Sequence, residues 1–167
     1  MAGGRLPQTI TVDPKGRMVI PKDVRLSLSI DGKDATIVVG CYGEKCLQLY
    51  RTDVFDRISA AMTKLGSGPE AIKKRRDFKL CHAPVPVDSS GRFTIPDFLK
   101  GAAGVKDKMV AIDMDHRWEL WDPKAIGIEV GDGDAPSGAI PEADSAVVSL
   151  AFEAGNDWLA EGSKENA

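Results

Sequence analysis

Histidine is scarce in this 167-residue chain, which has only His82 and His116. There is no Gly-x-x-x-x-Gly-Lys loop, and no Ser or Cys sits in a nucleophile signature, so little material for catalysis is present and no enzyme is expected. Three cysteines make an odd number, which excludes a fully paired disulfide framework and predicts reduced thiols. Cys41, Cys46, Cys81 and His82 have the residue types of a zinc site. The Cys-x4-Cys spacing is loose and no second close pair exists, so small apolar residues are the better reading, and neither metal nor cofactor is expected. No stretch approaches the roughly 20 apolar residues of a membrane span. The opening Met-Ala-Gly-Gly-Arg-Leu-Pro lacks an apolar leader core, which predicts a cytoplasmic protein without membrane contact.

What is present is a globular composition, 43% hydrophobic and 28% charged, long enough for one ordinary domain or two small ones. The net charge of −3 conceals a segregation. Residues 1–126 hold 21 Lys and Arg against 16 Asp and Glu, an excess of +5, whereas residues 127–167 hold 1 against 9, an excess of −8. A basic body followed by an acidic tail suits a polyanion binder better than the overall charge suggests.

The chain repeats itself. Val12-Asp13-Pro14-Lys15-Gly16-Arg17-Met18-Val19-Ile20-Pro21 aligns without gaps on Val87-Asp88-Ser89-Ser90-Gly91-Arg92-Phe93-Thr94-Ile95-Pro96, an offset of 75. Downstream, Thr36 to Val39 matches Met109 to Ile112 at an offset of 73, and Leu47 to Tyr50 matches Trp118 to Trp121 at 71. Asp13 and Asp88 open a type I turn, and Gly16 and Gly91 supply the residue able to take positive φ, so each motif is a hairpin tip. The flanking runs, Thr9 to Val12 with Met18 to Ile20 and Val85 to Val87 with Phe93 to Ile95, read as strands; by period 2, Ile10, Val12, Met18 and Ile20 share a buried face. Pro21 and Pro96 sit where a short helix begins. Two more strands follow each helix: Ala35 to Gly40 with Cys46 to Tyr50, and Lys108 to Asp113 with Arg117 to Trp121. The fold class is therefore α+β and β-rich. A unit of about 45 residues is too small to bury a satisfactory core alone, and two copies can complete each other.

These readings divide the chain into copies at 7–52 and 81–126, a helical connector at 53–80, and an acidic tail, read as mostly disordered, at 127–167. In the connector, Val54, Phe55, Ile58, Met62 and Leu65 recur at helical spacing over Thr52 to Leu65, and a helix opening at Pro69 carries Lys73 to Arg76, whose four cations point all round it. Within the tail, residues 147–159 carry apolar islands suited to docking on the body or on a protein partner.

The duplicated Asp-x-x-Gly-Arg hairpin, followed by an apolar triplet and Ile-Pro before a short helix, resembles the MraZ family of bacterial transcriptional regulators, built from two SpoVT/AbrB-type domains. The resemblance covers roughly residues 7–126. It implies a swapped-hairpin, pseudo-two-fold β-barrel with flanking helices, assembly into a homo-oligomeric ring, and a nucleoid-associated protein that binds repeated short boxes of double-stranded DNA upstream of a cell-division and cell-wall operon. It also implies that the tip arginines, Arg17 and Arg92, contact DNA, with Lys15 on the first tip and Arg25 and Lys100 at matching helix positions. With Lys15 and Arg25 joining Arg17, the first copy is expected to carry more of the phosphate attraction. An antitoxin of the same superfamily and a ring module without DNA binding are the rival readings.

Guanidinium groups suit such a surface because their fixed fork of donors matches phosphate oxygens or the guanine edge. The competing role is structural: an arginine close in sequence to a turn aspartate can pair with it. Asp13 and Asp88 are read as turn-forming residues, since an acid beside phosphate weakens binding. The −8 tail is a candidate competitor for the basic surface. Truncation at about residue 127 is expected to tighten DNA binding at low salt, measured by titration; unchanged affinity would rule the competition out.

Overall fold

The computed structural model describes residues 6–30, 35–130 and 137–138. In chain order the elements are β1 (Gln8–Thr11), β2 (Arg17–Val19), α1 (Lys22–Ser27), β3 (Ala35–Gly40), β4 (Leu47–Arg51), α2 (Thr52–Met62), α3 (Pro69–Leu80), β5 (His82–Val87), β6 (Arg92–Thr94), α4 (Asp97–Ala102), β7 (Lys108–Asp113), β8 (Trp118–Trp121), β9 (Ile128–Glu129) and β10 (Ser137–Gly138). Six strands form an antiparallel sheet in the order β1-β7-β8-β4-β3-β5, while β2 and β6 pair with each other as a separate ribbon.

The ladder exchanges strands between the two copies. β1 of the first copy pairs with β7 of the second, and β5 of the second pairs with β3 of the first. The two halves meet where β4 pairs with β8, centred on Gln48↔Glu119, and where β2 pairs with β6, centred on Met18↔Phe93. A pseudo-two-fold axis therefore relates them. It also corrects the downstream sequence alignment: Ile37↔Val85 corresponds to Met109↔Ile10, so Ile37 matches Met109 at an offset of 72. An alignment at 73 would move each side chain to the opposite face, because strand side chains alternate. The core positions agree with 72, since Ile37, Val39, Met109 and Ala111 all enter the main apolar cluster.

The ladder does not close into the barrel that the resemblance implies: the sheet is open, with β1 and β5 at its edges. The hairpins account for this. After the tip each chain segment leaves the sheet; among the described residues β2 and β6 pair with one another, and Val12, just past β1, bridges Met18. Pro84 and Pro86 lie within β5, which begins at His82 rather than at Val85. An edge strand tolerates prolines because its missing amide donors face away from the ladder.

The core fills the space between one sheet face and the lid made by the ribbon, α1 and α4. Ile10, Val12, Met18 and Ile20 are all buried as their period predicts, joined by Val24, Leu99, Trp118 and Leu120. Fully burying each such side chain contributes about 1.5–3 kcal/mol. On the opposite face α2 and α3 cover the β5-β3-β4 half. There Phe55 stacks on Phe78 at 5.4 Å and His82 lies 4.4 Å from Phe78. A Cβ on Gly40 would stand 2.0 Å from His82 Cδ2, so the close approach of this ring requires glycine. Burial lowers the His82 pKa, which keeps the ring neutral, and its Nδ1 lies 2.6 Å from the Phe78 carbonyl.

The end of the second copy differs from the first. A 3-10 turn at Pro123–Ile126 replaces a long helix and stops at Gly127, whose φ of 69° only glycine adopts readily. Beyond Gly127, β9 and β10 form a two-stranded ladder; a truncation that spares this ladder cuts after Gly138. Residues 147–159 lie outside the described residues. Among the described residues, no helix is long and apolar enough to cross a membrane.

Met18 and Phe93, each 2% exposed and directly paired on the axis, hold the ribbon to the core. Phe93→Ala is expected to cost about 3–5 kcal/mol and Met18→Ala about 2–5 kcal/mol in urea unfolding. The double variant should lose less than the sum, since the two truncations open one shared cavity.

Candidate nucleic-acid interface

Each tip is built by its aspartate. Asp13 N–H donates to the Arg17 carbonyl and Gly16 N–H to the Asp13 carbonyl, both at 2.9 Å. One Asp13 carboxylate oxygen accepts from Lys15 N–H and Arg17 N–H at 2.9 Å. The second tip repeats this through Ser90 N–H and Arg92 N–H onto Asp88 at 2.9 Å. Gly16 and Gly91 take φ of 77° and 80°, and their carbonyls accept from Ile95 N–H and Ile20 N–H of the other copy at 2.8 Å. The aspartates are thus turn-forming residues, as the sequence predicts, and each tip is stitched to the opposite copy.

Period 2 divides the ribbon. Met18 and Phe93 point inward, leaving Arg17, Val19, Arg92 and Thr94 on the exposed face, with Arg17 opposite Thr94 and Val19 opposite Arg92. A shallow groove runs over this face between Thr11, Asp13, Arg17, Val19 and Arg92. The two arginines therefore stand diagonally across the axis. Their states differ. Arg17 Nε donates to Asp13 at 2.7 Å with the side chain 45% exposed, whereas Arg92 has no ion-pair partner among the described residues.

The helices join the tips in crossed fashion. Arg25 of α1 lies against Gly91, where an added Cβ would stand 2.6 Å from its Cδ, and Lys100 of α4 lies in the same way against Gly16. This overturns the expectation that Arg25 reinforces Arg17: it belongs to the second tip, together with Lys22, Asp88 and Ser89. The first tip gains Lys100 and Lys106 instead. Lys100 is bound to Asp97 at 2.7 Å, and Lys22 occupies the equivalent of Asp97 in the first copy. The second tip thus faces the less compensated group of cations. Val19 and Thr94 were not singled out from sequence, nor were Lys22 and Lys106, which only strand exchange brings to the tips. Lys73 is tied to Asp77 at 2.6 Å on α3, away from both tips.

The cysteine and histidine side chains do not assemble the zinc set weighed from sequence; His82 is enclosed by aromatic rings. Glu44, Cys46 and Glu119 do bring ligand atoms within 4.8 Å of one another. Burial, and then the Glu119 carboxylate, push the Cys46 thiol up to about 12. Glu119 itself is held by Arg117 at 2.6 Å and Trp121 Nε1 at 2.9 Å. Within this cluster Glu119 is therefore already engaged by an ion pair and by the indole N–H.

A scan against protein-family models finds no match. Curated relatives are found. The transcriptional regulator MraZ of Legionella pneumophila (strain Paris) is 32% identical over 113 residues, covering 67% of this chain and 74% of its own length. The chain belongs to the MraZ family. The transcriptional regulator MraZ of Cytophaga hutchinsonii is 32% identical over 115 residues, 68% of this chain and 75% of its own. That of Shewanella frigidimarina is 30% identical over 128 residues, 75% and 84% respectively. Membership in the MraZ family thus rests on about two thirds to three quarters of the chain, and the relatives are named transcriptional regulators.

Asp13 lies below the ordinary carboxylate range, first through the Arg17 backbone N–H and further through the guanidinium and the Lys15 N–H. Because the folded value is depressed, this contribution to stability is present above the ordinary range and is lost as pH falls through the folded value. Carbon-detected NMR titration should find Asp13 below a model aspartate. Arg17→Ala should raise it only part of the way, since the backbone donor remains; no rise would show that the side-chain pair is absent in solution.

Proposed function

We propose that the chain is a sequence-specific transcriptional regulator that binds double-stranded DNA through the β2–β6 ribbon, built from two SpoVT/AbrB-type domains at 7–52 and 81–126. The observation that carries this reading is the pseudo-symmetric exposed face bearing Arg17 and Arg92, flanked by Arg25 and Lys100. A two-stranded ribbon fits the major groove, where guanidinium forks meet guanine edges or phosphates and the apolar Val19 and the Thr94 methyl suit thymine methyl groups. Lys15, Lys22 and Lys106 add phosphate attraction at the margins.

A single ribbon with few cations binds weakly. Assembly of several chains into a ring makes successive contacts intramolecular, so repeated short boxes upstream of a cell-division and cell-wall operon gain affinity by avidity. Such a protein works in the cytoplasm at the nucleoid.

Arg17→Ala combined with Arg92→Ala is expected to leave fold and oligomer intact, weaken binding by about 1–3 kcal/mol per lost contact and flatten the salt dependence. Arg92→Ala alone should cost more than Arg17→Ala, because Arg17 must leave Asp13 to reach DNA. Fluorescence anisotropy across a salt series, with DNA recovered from the purified protein as probe, checks both; affinity and slope unchanged in the double variant would make the tips structural.

A further inference from the structure

Two of the three cysteines face each other. Cys41 and Cys81 lie one step beyond the Gly40↔His82 pair that ends the β3–β5 ladder, and Cys41 N–H donates to the Cys81 carbonyl at 3.0 Å. The Cys81 N–H turns back to the Asp77 and Phe78 carbonyls, so one bond joins the pair; such a bond holds two Cα atoms about 5–6 Å apart, within the window of roughly 4.4–6.8 Å that a disulfide spans. By alternation Cys41 follows Ile37 and Val39, which lie in the core cluster, while Cys81 stands at the α3–β5 turn with φ −87° and ψ 2° and turns its carbonyl toward Cys41. Cys41 packs against that cluster, and its Sγ donates to the Glu44 carbonyl at 3.3 Å.

Both thiols are free and half-exposed, whereas Cys46 is fully buried. Burial raises the Cys41 pKa, and the Cys81 thiol adds to the rise. Cys81 also caps α3 where the connector turns into β5. β5 is an edge strand, held in the sheet by β3 alone, and it is one of the two strands exchanged between copies.

We propose that Cys41 and Cys81 are a reversible cross-strand disulfide site, oxidised by small disulfides of the oxidised-glutathione class, that pins the α3–β5 junction to β3. One cysteine, deprotonated to the solvent, attacks a sulfur of the small disulfide; its S–S bond breaks and one thiolate leaves. The second cysteine, likewise deprotonated, attacks the protein sulfur of the mixed disulfide and expels the other thiolate. The two protein thiols lose two electrons and two protons, and one glutathione disulfide becomes two glutathione thiols. The closed loop contains β4, α2 and α3, so the bond removes freedom from the unfolded chain and resists peeling of the edge strand. This site stands independently of the DNA-binding reading.

The test equilibrates the full chain in glutathione buffers from reducing to oxidising, quenches by alkylation and maps peptides under non-reducing conditions. A Cys41–Cys81 linked peptide should accumulate within single chains as one two-electron transition, with Cys46 alkylated only after denaturation. The melting temperature should rise by about 5–15 °C on oxidation, and Cys41→Ser or Cys81→Ser should each abolish the rise. Recovery only of glutathione adducts, of links between chains or of a link to Cys46 would overturn the site. A linked peptide without a melting shift would overturn the pinning. The peptide map uses the unaltered protein, so neither variant needs to fold for the site itself to be judged.

Discussion

Everything in this molecule depends on the exchange of strands between two copies of one short sequence unit. Neither copy can complete its own sheet: β3 needs β5 from the other half, and β7 needs β1. Each hairpin closes its own tip, but β2 finds its ladder partner in β6 of the other half. The core that results is continuous across the pseudo-two-fold axis, with Met18 touching Phe93 and Leu47 paired with Leu120. Unpairing one copy would expose the edges and apolar faces of both, which makes cooperative folding of residues 7–126 the natural consequence.

Much of this was legible in the chain itself. The two Asp-x-x-Gly-Arg motifs specify type I tips by local chemistry, and those turns form as read, down to the positive φ of Gly16 and Gly91. Strand boundaries fall within about a residue wherever alternation is clean, as along Ile10, Val12, Met18 and Ile20. The misreadings have physical origins. Pro84 and Pro86 argue against a strand until β5 is known to lie at an edge. The offset of 73 in the β3 and β7 comparison arises because both runs are apolar on both faces, Val38 and Val110 included, so alternation cannot fix their phase. The closed barrel expected from family resemblance is replaced by an open sheet capped by a ribbon. Only the pairing partners reveal that Arg25 serves the second tip, since crossing between copies is a long-range property with no local signal.

The candidate site shows how duplication and divergence act on one geometry. Both tips use the same carboxylate cradle, but divergence has reset the surrounding charges. At the first tip Asp13 occupies Arg17 and Asp97 occupies Lys100. At the second, Lys22 stands where an acid stands in the sister copy, and Arg25 Nε is buried without a partner. One basic surface is largely neutralised internally, and the other carries cations with fewer internal obligations. In a site that meets a polyanion, such differences in prior commitment separate residues that act as anchors from residues that must first exchange partners.

The ribbon face also has a direction. Rotation about its axis exchanges Arg17 with Arg92, yet places Val19 where Thr94 was, an isopropyl group in place of a hydroxyl-bearing one. A true homodimeric ribbon would be indifferent to that rotation and would suit an inverted-repeat target. A ribbon whose two strands belong to one chain and are not chemically equal gains head and tail. In the ring proposed above, subunits related by rotation would present that polarity in the same circular sense, and a duplex running along the rim would be read as a row of direct repeats.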